Sequence, residues 1–288
     1  MDLHLYRHTW GMDEPWATAF PKLKALGFIG IETNVVWASD EQRATLRPLL
    51  DQHGFKLIMQ VFTGALPGGP ECPPTPEAHL ASLETQVIQA KSYRADFINA
   101  HTGRDSWTFD QAVAFYRGCL DLEQKHQIVI SHETHRGRYF FNPRDTRAVL
   151  EALPSLKITA DYSHFVCVLE RLPRTMDFDP AFFAKHAWHV HARVGHPEGP
   201  QVNDPRAPEW ADTVAWHEAC WDAIFTAAAV AGRTDLSLTP EFGPRYYMPT
   251  LPYTKAPVAD LWDICTWQAH RQRDRFAARF GKAEASHA

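Results

Sequence analysis

The chain has 288 residues, 45% of them hydrophobic, 12% aromatic and 22% charged, with a formal net charge of −5 at pH 7. That composition is globular rather than disordered and long enough for one large core, and it lacks the basic excess of a nucleic-acid-binding surface. The five cysteines are widely spaced with no Cys-x-x-Cys pair, which speaks against a disulfide framework and a thiolate zinc site and fits free thiols in a reducing compartment.

Short apolar runs alternate with longer amphipathic ones along the whole chain. Strands are predicted at Leu3–His8, Phe28–Glu32, Lys56–Phe62, Asp96–His101, Ile128–Glu133, Lys157–Asp161, Trp188–His191 and Ser237–Glu241. Helices are predicted near 15–26, 40–53, 76–93, 108–126, 143–153, 179–186, 211–231 and 257–280. Their starts carry capping signals, as in Ser39-Asp40-Glu41, Thr75-Pro76-Glu77, Asn142-Pro143 and Asp179-Pro180. Gly27, Gly54 and Gly232 sit where helices must stop. Eight strand-then-helix units point to an α/β fold, a single (β/α)₈ TIM barrel over 1–280 with a flexible C-terminal tail at 281–288. A doubly wound sheet would need a glycine-rich turn after the first strand, and Thr9-Trp10-Gly11-Met12 is not one. The opening Met1–His8 has no apolar signal region, and the longest apolar stretch, Ala223–Ala231, is broken by Thr226. A cytoplasmic protein without membrane attachment is expected.

The strand ends carry the chemistry. Strand two ends in Glu32, four in His101, five in Glu133, six in Asp161, seven in His189-Val190-His191 and eight in Glu241. In a barrel these groups face the C-terminal mouth, together with the irregular segments 192–210 and 242–256. One carboxylate at a strand end is most simply a solvated or capping residue. Glu133, Asp161, His191 and Glu241 are different, because they end four consecutive strands spaced roughly 4.8 Å apart. Three carboxylates held that closely repel one another unless a cation sits among them. Three oxygens and one imidazole suit Mn²⁺, Mg²⁺ or Co²⁺ better than Zn²⁺, the alternative being a metal-free polar cluster.

The motifs resemble the xylose isomerase-like barrels, a sugar isomerase and epimerase group that also includes keto-inositol dehydratases and apurinic endonucleases. The resemblance rests on Leu26-Gly27-Phe28-Ile29-Gly30-Ile31-Glu32, His132-Glu133-Thr134, Asp161-Tyr162-Ser163-His164, His189-Val190-His191 and Pro240-Glu241-Phe242-Gly243, in that order across nearly the whole chain. It implies that Glu133, Asp161, His191 and Glu241 hold one divalent ion, that Glu133 and Glu241 are catalytic, and that His164 contacts substrate. His101 and Arg193 join it as candidate substrate-binding residues. In the ketose 3-epimerases of the group, two glutamates face each other across the substrate; one removes a proton beside the carbonyl and the other returns it. Those epimerases carry a further acid shortly after the strand-five glutamate, where this chain has Thr134-His135-Arg136-Gly137-Arg138, read as a solvated loop. Glu32 is read as a brace for Arg7 or Arg193, His189 as a buried hydrogen-bonded histidine, and Phe109, Phe115 and Tyr116 as core. Trp10, Trp37, Trp107 and Tyr246 belong to mouth loops, where aromatics suit sugar C–H faces.

A metal-dependent isomerase or epimerase acting on a sugar is therefore expected. A lyase or dehydratase using the same base, with His164 or His101 as general acid, is the alternative. An apurinic-endonuclease-like phosphodiesterase fits the acidic net charge poorly. The expected partner is a small carbohydrate, not nucleic acid or membrane, and a homodimer or homotetramer is left open.

Overall fold

A computed structural model describes residues 1–64 and 72–281. Eight parallel strands close into one barrel in sequence order: β1 (Asp2–His8), β2 (Gly30–Thr33), β3 (Lys56–Phe62), β4 (Phe97–His101), β5 (Ile130–Glu133), β6 (Lys157–Ala160), β7 (Ala187–His191) and β8 (Asp235–Thr239). Closure comes from β8 lying beside β1 in the register Asp2↔Asp235 to Leu5↔Leu238. The fold is the expected (β/α)₈ barrel, and the predicted tail from 282 onward lies outside the described residues.

Most of the helices start at a side-chain cap, while α1, α6 and α8 form without one. They are α1 (Trp16–Ala25), α2 (Asp40–His53), α3 (Pro76–Ser92), α4 (Phe109–His126), α5 (Pro143–Ala152), α6 (Ser163–Leu169), α7 (Pro180–Ala184), α8 (Ala211–Val230) and α9 (Leu261–Phe280). Ser39 with Gln42 and Thr108 with Gln111 make reciprocal capping boxes at the starts of α2 and α4. Gly54 ends α2 in the left-handed region at φ 62°, which a Cβ would disfavour. On α4 the core face is Ala112, Phe115, Tyr116, Cys119 and Leu122. Phe109, at the first position of that helix, falls off this stripe and is 46% exposed, so it is not the core residue it was read as.

Helix α6 is the element the sequence reading lacks. It follows β6 at once, because the Asp161 carboxylate accepts the Ser163 N–H at 3.1 Å and starts the turn that a strand ending in a polar triplet conceals. The main core fills the space between sheet and helices. Inside the barrel, Tyr6, Ile58 and Phe97 form an apolar plug at the base. Above the plug the interior turns polar: Thr159 donates to Ser131 at 2.9 Å, and the His189 ring lies 2.7 Å from the Ser237 hydroxyl. The next layer up is the rim.

Candidate active site

Each rim residue is held by the end of its strand. Glu133 is the last residue of β5 and His191 of β7, while Asp161 and Glu241 stand one and two residues past β6 and β8. A register shift between β6 and β7 at Ile158 and Thr159 sets the aim of the β6 end. All four side chains are buried, Glu241 at 4% exposure being the most open. One ligating atom from each lies within 4.8 Å of the others. That is about the span of two ligands across a single ion at roughly 2.0–2.6 Å from each.

Three of the buried atoms facing this volume have no hydrogen-bond partner: Glu133 Oε1, His191 Nδ1 and Glu241 Oε2. Orphaned buried polar atoms are costly; His191 Nδ1 and Glu241 Oε2 face each other at 2.8 Å, and Glu133 presents its other oxygen, Oε2, 3.4 Å from the same nitrogen. The donor set therefore fits one divalent ion. Asp161 is the member already engaged: Oδ1 accepts from the Ser163 hydroxyl at 2.5 Å, and Oδ2 is paired with the Arg193 guanidinium.

Behind the four lies a supporting layer that sequence reasoning missed. Glu32 accepts from His191 Nε2 at 2.9 Å, Asn99 Nδ2 at 2.9 Å, Gln60 Nε2 at 3.2 Å and the Thr239 hydroxyl at 2.6 Å. It braces a histidine and not Arg7 or Arg193, because Arg7 turns away to the His8 carbonyl and the Trp262 ring. This carboxylate–imidazole contact fixes His191 with Nδ1 toward the glutamates. Asn99 also donates to Glu133 Oε2 at 2.8 Å, and Gln60 to Glu241 Oε1 at 3.2 Å. Their signal in the sequence was only their alternation with apolar residues on β3 and β4, which any inward-facing polar residue shares. His189 is the buried, hydrogen-bonded histidine it was read as, with Nε2 3.1 Å from the Thr239 hydroxyl.

Burial pushes the carboxyls of Glu133 and Glu241 up. His101 and His191 beside the first, and His191 and Arg193 beside the second, more than cancel this and leave both below their ordinary value. Asp161 is raised to about 6 by burial and by the charges of Glu133 and Glu241, against the pull of Arg193. Burial opposes the charged form of His191, yet Glu241, Glu32 and Glu133 hold it well above the usual imidazole range.

The cluster opens into a cavity of about 640 Å³ whose wall includes Glu133, Glu241, His101 and Arg193. His101 Nε2 lies 2.9 Å from Glu133 Oε2. Arg193 is 2% exposed and forks between Asp161, the Ser163 hydroxyl (3.1 Å) and His164 Nε2 (2.8 Å), with Nη1 3.4 Å from Glu241. His164 is fully buried behind His135 and Arg193, its ring 3.9 Å from that of His135. Burial first, then those two neighbours, push its pKa well below the usual range, so it does not titrate near neutrality as the general-acid idea requires. His135 and Arg138 are not a solvated loop either. His135 lines the cavity, and Arg138, 5% exposed, donates to the Thr63 carbonyl at 2.5 Å; only Arg136 of the three is exposed. The two irregular mouth segments are joined by Gln201 and Gly243, which exchange hydrogen bonds of 3.1 and 2.6 Å.

A ring of aromatic contacts runs round the opening. Successive centroids from Trp37 through Phe62, His101, His135, His164 and Tyr247 to Trp10 lie 5.0, 4.5, 5.0, 3.9, 6.4 and 5.0 Å apart. Phe62 and Tyr247 were not singled out from the sequence. Only the closed barrel brings β3 and the loop after β8 to the same mouth.

Residues 20–223 match the family model described as xylose isomerase-like TIM barrel. A xylose isomerase-like TIM barrel protein from Mycobacterium smegmatis, solved in complex with magnesium, superposes with a TM-score of 0.60 at 13% identity over 96% of this chain and 97% of its own. The 3-keto-D-glucoside 4-epimerase from E. coli gives 0.61 at 11% identity over 95% of this chain and all of its own (100%). The probable 3-DHS dehydratase of petrobactin synthesis from Bacillus anthracis gives 0.57 at 14% over 96% and 100%. No curated protein matches the chain significantly by sequence. At such identities the structural likenesses establish the fold.

Proposed function

The chain belongs to the xylose isomerase-like TIM-barrel family, and on that footing we propose that it is a divalent-metal-dependent isomerase or epimerase moving a proton beside the carbonyl of a keto-sugar. The observation that carries this is the pair Glu133 and Glu241, buried at the ends of non-adjacent strands in the wall of one cavity, each with an oxygen beside His191 Nδ1. An epimerase from E. coli and a magnesium-bound protein among the structural relatives support the same reading.

Glu133, Asp161, His191 and Glu241 would hold the ion. When bound, it draws electron density from the carbonyl and so lowers the cost of ionising the neighbouring C–H, which a carboxylate alone is too weak a base to do well. Glu133 and Glu241 stay ionised at neutral pH because His101, His191 and Arg193 outweigh their burial, so each is ready to accept a proton. Asn99 and Gln60 fix one oxygen of each glutamate and leave the other to reach substrate. Glu133 takes the proton on one side of the carbon and Glu241 returns one from the other. Arg193, immobilised by Asp161 and Ser163, keeps a positive charge beside Glu241 in the cavity wall.

A lyase is the second reading, favoured by one observation: His101 stands in the cavity wall 2.9 Å from Glu133, within reach of a leaving group that needs a proton. Deuterium wash-in from D₂O on a ketose panel separates the two. For an epimerase, Glu241→Gln stops net conversion but keeps exchange at the carbon served by Glu133, while Glu133→Gln loses both. For a lyase, a new ultraviolet absorbance appears with no epimeric product. Chelation should abolish turnover and Mn²⁺, Co²⁺ or Mg²⁺ restore it. Wild-type turnover in both glutamine variants would overturn the carbon-acid mechanism.

A further inference from the structure

The cavity is larger than the chemistry needs. A monosaccharide of about a dozen heavy atoms would fill only part of a volume in the range of drug-sized ligand sites. The candidate metal-ligating cluster belongs to β5–β8, yet the cavity extends across the barrel, where its wall is Trp10, Met12 and Trp16 after β1, Trp37 after β2, Phe62 at the end of β3 and Tyr246 after β8. Trp10 and Trp37 are 36% and 46% exposed. Two part-exposed indoles facing one cavity are apolar surface kept for a ligand rather than for the core.

Their placement is specific. Trp37 packs edge-on to Phe62 at 5.0 Å, and Phe62 lies over His101 at 4.5 Å and 30°, so the shelf begins one ring outward from the group beside Glu133. On the opposite flank Trp10 packs edge-on to Tyr247 at 5.0 Å, itself beneath the Arg193 guanidinium at 4.9 Å. The Trp10 ring is seated against Gly243, where a Cβ would stand 2.1 Å from it.

The side-chain oxygens of Asn34, Gln42, Thr9 and Thr33 on this shelf are already engaged. Asn34 Oδ1 accepts the Trp37 N–H at 3.3 Å, Gln42 Oε1 accepts the Ser39 N–H at 2.9 Å, and the Thr9 and Thr33 hydroxyls share a hydrogen bond of 2.5 Å. A second sugar ring would bring hydroxyl protons to acceptors that are spent. A flat apolar ring asks for none.

We propose that the ligand is a glycoside whose sugar ring carries a ketone: that ring lies over Glu133 and Glu241, and its aglycone is an apolar aromatic ring stacked on the Trp10–Trp37 shelf. This rests on the keto-sugar reading of the site and adds the second half of the substrate. Phe62 and Trp37 then select for the aglycone while the glutamates act on the sugar.

The test is calorimetric titration of the full-length protein, with Mn²⁺ present, using ring ketones of matched methyl and phenyl D-glycopyranosides of gluco, galacto and manno configuration, with the corresponding ring ketones of cellobiose and lactose alongside. At least one phenyl glycoside should bind about tenfold more tightly than its methyl partner, the size expected of one aromatic stack with its buried area. Trp37→Ala should bring that ratio to within about twofold and leave the methyl glycoside's Kd within about twofold of wild type. Equal binding of phenyl and methyl glycosides by the wild-type protein overturns the aglycone proposal and leaves the sugar reading standing, so the result does not depend on how any variant folds. A disaccharide that matches the phenyl glycoside also overturns it, in favour of a second sugar. If none of these ketones binds, the glycoside proposal is overturned, whereas the keto-sugar reading falls only if the ketose panel also shows no deuterium exchange.

Discussion

Glu32→Gln is the sharpest probe of how the site is organised. The substitution keeps the shape but removes the charge and one acceptor, in a place where Glu32 meets the His191, Asn99, Gln60 and Thr239 donors. The amide NH₂ would turn a donor toward other donors, leaving one or two of them unsatisfied. The contact of most consequence is the 2.9 Å one to His191 Nε2, since a carboxylate there fixes the ring and raises the basicity of Nδ1. Hydrogen bonds to a buried charge contribute about 1.5–3 kcal/mol each, and loss of such outer partners typically lowers metal affinity by roughly 10- to 100-fold. We therefore expect Mn²⁺ or Co²⁺ affinity, measured by competition with a chromophoric chelator, to fall by about 1.4–2.7 kcal/mol. Thr239→Val is the control: it takes one donor from Glu32 without touching His191, and should lower Tm with affinity nearly unchanged. If Glu32→Gln binds metal as tightly as wild type while remaining folded, His191 is not held by Glu32 for ligation and the layered picture is wrong.

Three further outcomes are expected. Gly195→Ala would place a Cβ 2.6 Å from the Ser163 carbonyl, so it should lower stability by about 1–3 kcal/mol in urea unfolding and loosen the Ser163–Asp161 contact. Arg193→Lys keeps the charge but cannot span Asp161, Ser163 and Glu241 together, and should cost about 1–3 kcal/mol of stability; an unchanged Tm would show that the fork does not matter. His217 is held neutral by burial, its pKa lowered to about 3, with Nε2 accepting the Gly195 N–H at 3.0 Å. Its folded value lies below its unfolded one, so the unfolded chain binds the extra proton and stability falls as pH drops from about 6.5 toward 3. His217→Gln, which keeps an acceptor, should flatten that slope by about 1.4 kcal/mol per pH unit in denaturant titrations, and an identical slope would refute the assignment.

The barrel was legible because its signal repeats eight times, short apolar strands alternating with longer amphipathic helices, several of them capped. The rim was legible for a related reason: Glu133, Asp161, His191 and Glu241 end consecutive strands, so adjacency in sequence order becomes adjacency in space. What crosses the barrel was not. Glu32 pairs with His191 from five strands later, and nothing near Glu32 in the chain distinguishes it from a brace for Arg7. His135 and Arg138 misled for the opposite reason, since charged residues in a glycine-containing loop look solvated until tertiary packing folds them inward. Helix α6 hid because no side chain caps it, and Asp161, whose carboxylate accepts the Ser163 N–H at its start, also belongs to the site.

The Arg193 guanidinium bears on the order of events in the protein's life. It is clamped against Asp161 and Ser163 within the folded chain, and unlike an imidazole it carries its charge at every pH the cell offers. Part of the repulsion among the rim carboxylates is thus offset by a residue the ribosome has already built in. On the proposed reading, folding would not have to wait for the ion, and an ion taken up afterwards would meet a finished socket. Its identity would then follow the metals of the surroundings in which the mature protein resides, and purified samples from different hosts should differ in metal content without differing in shape.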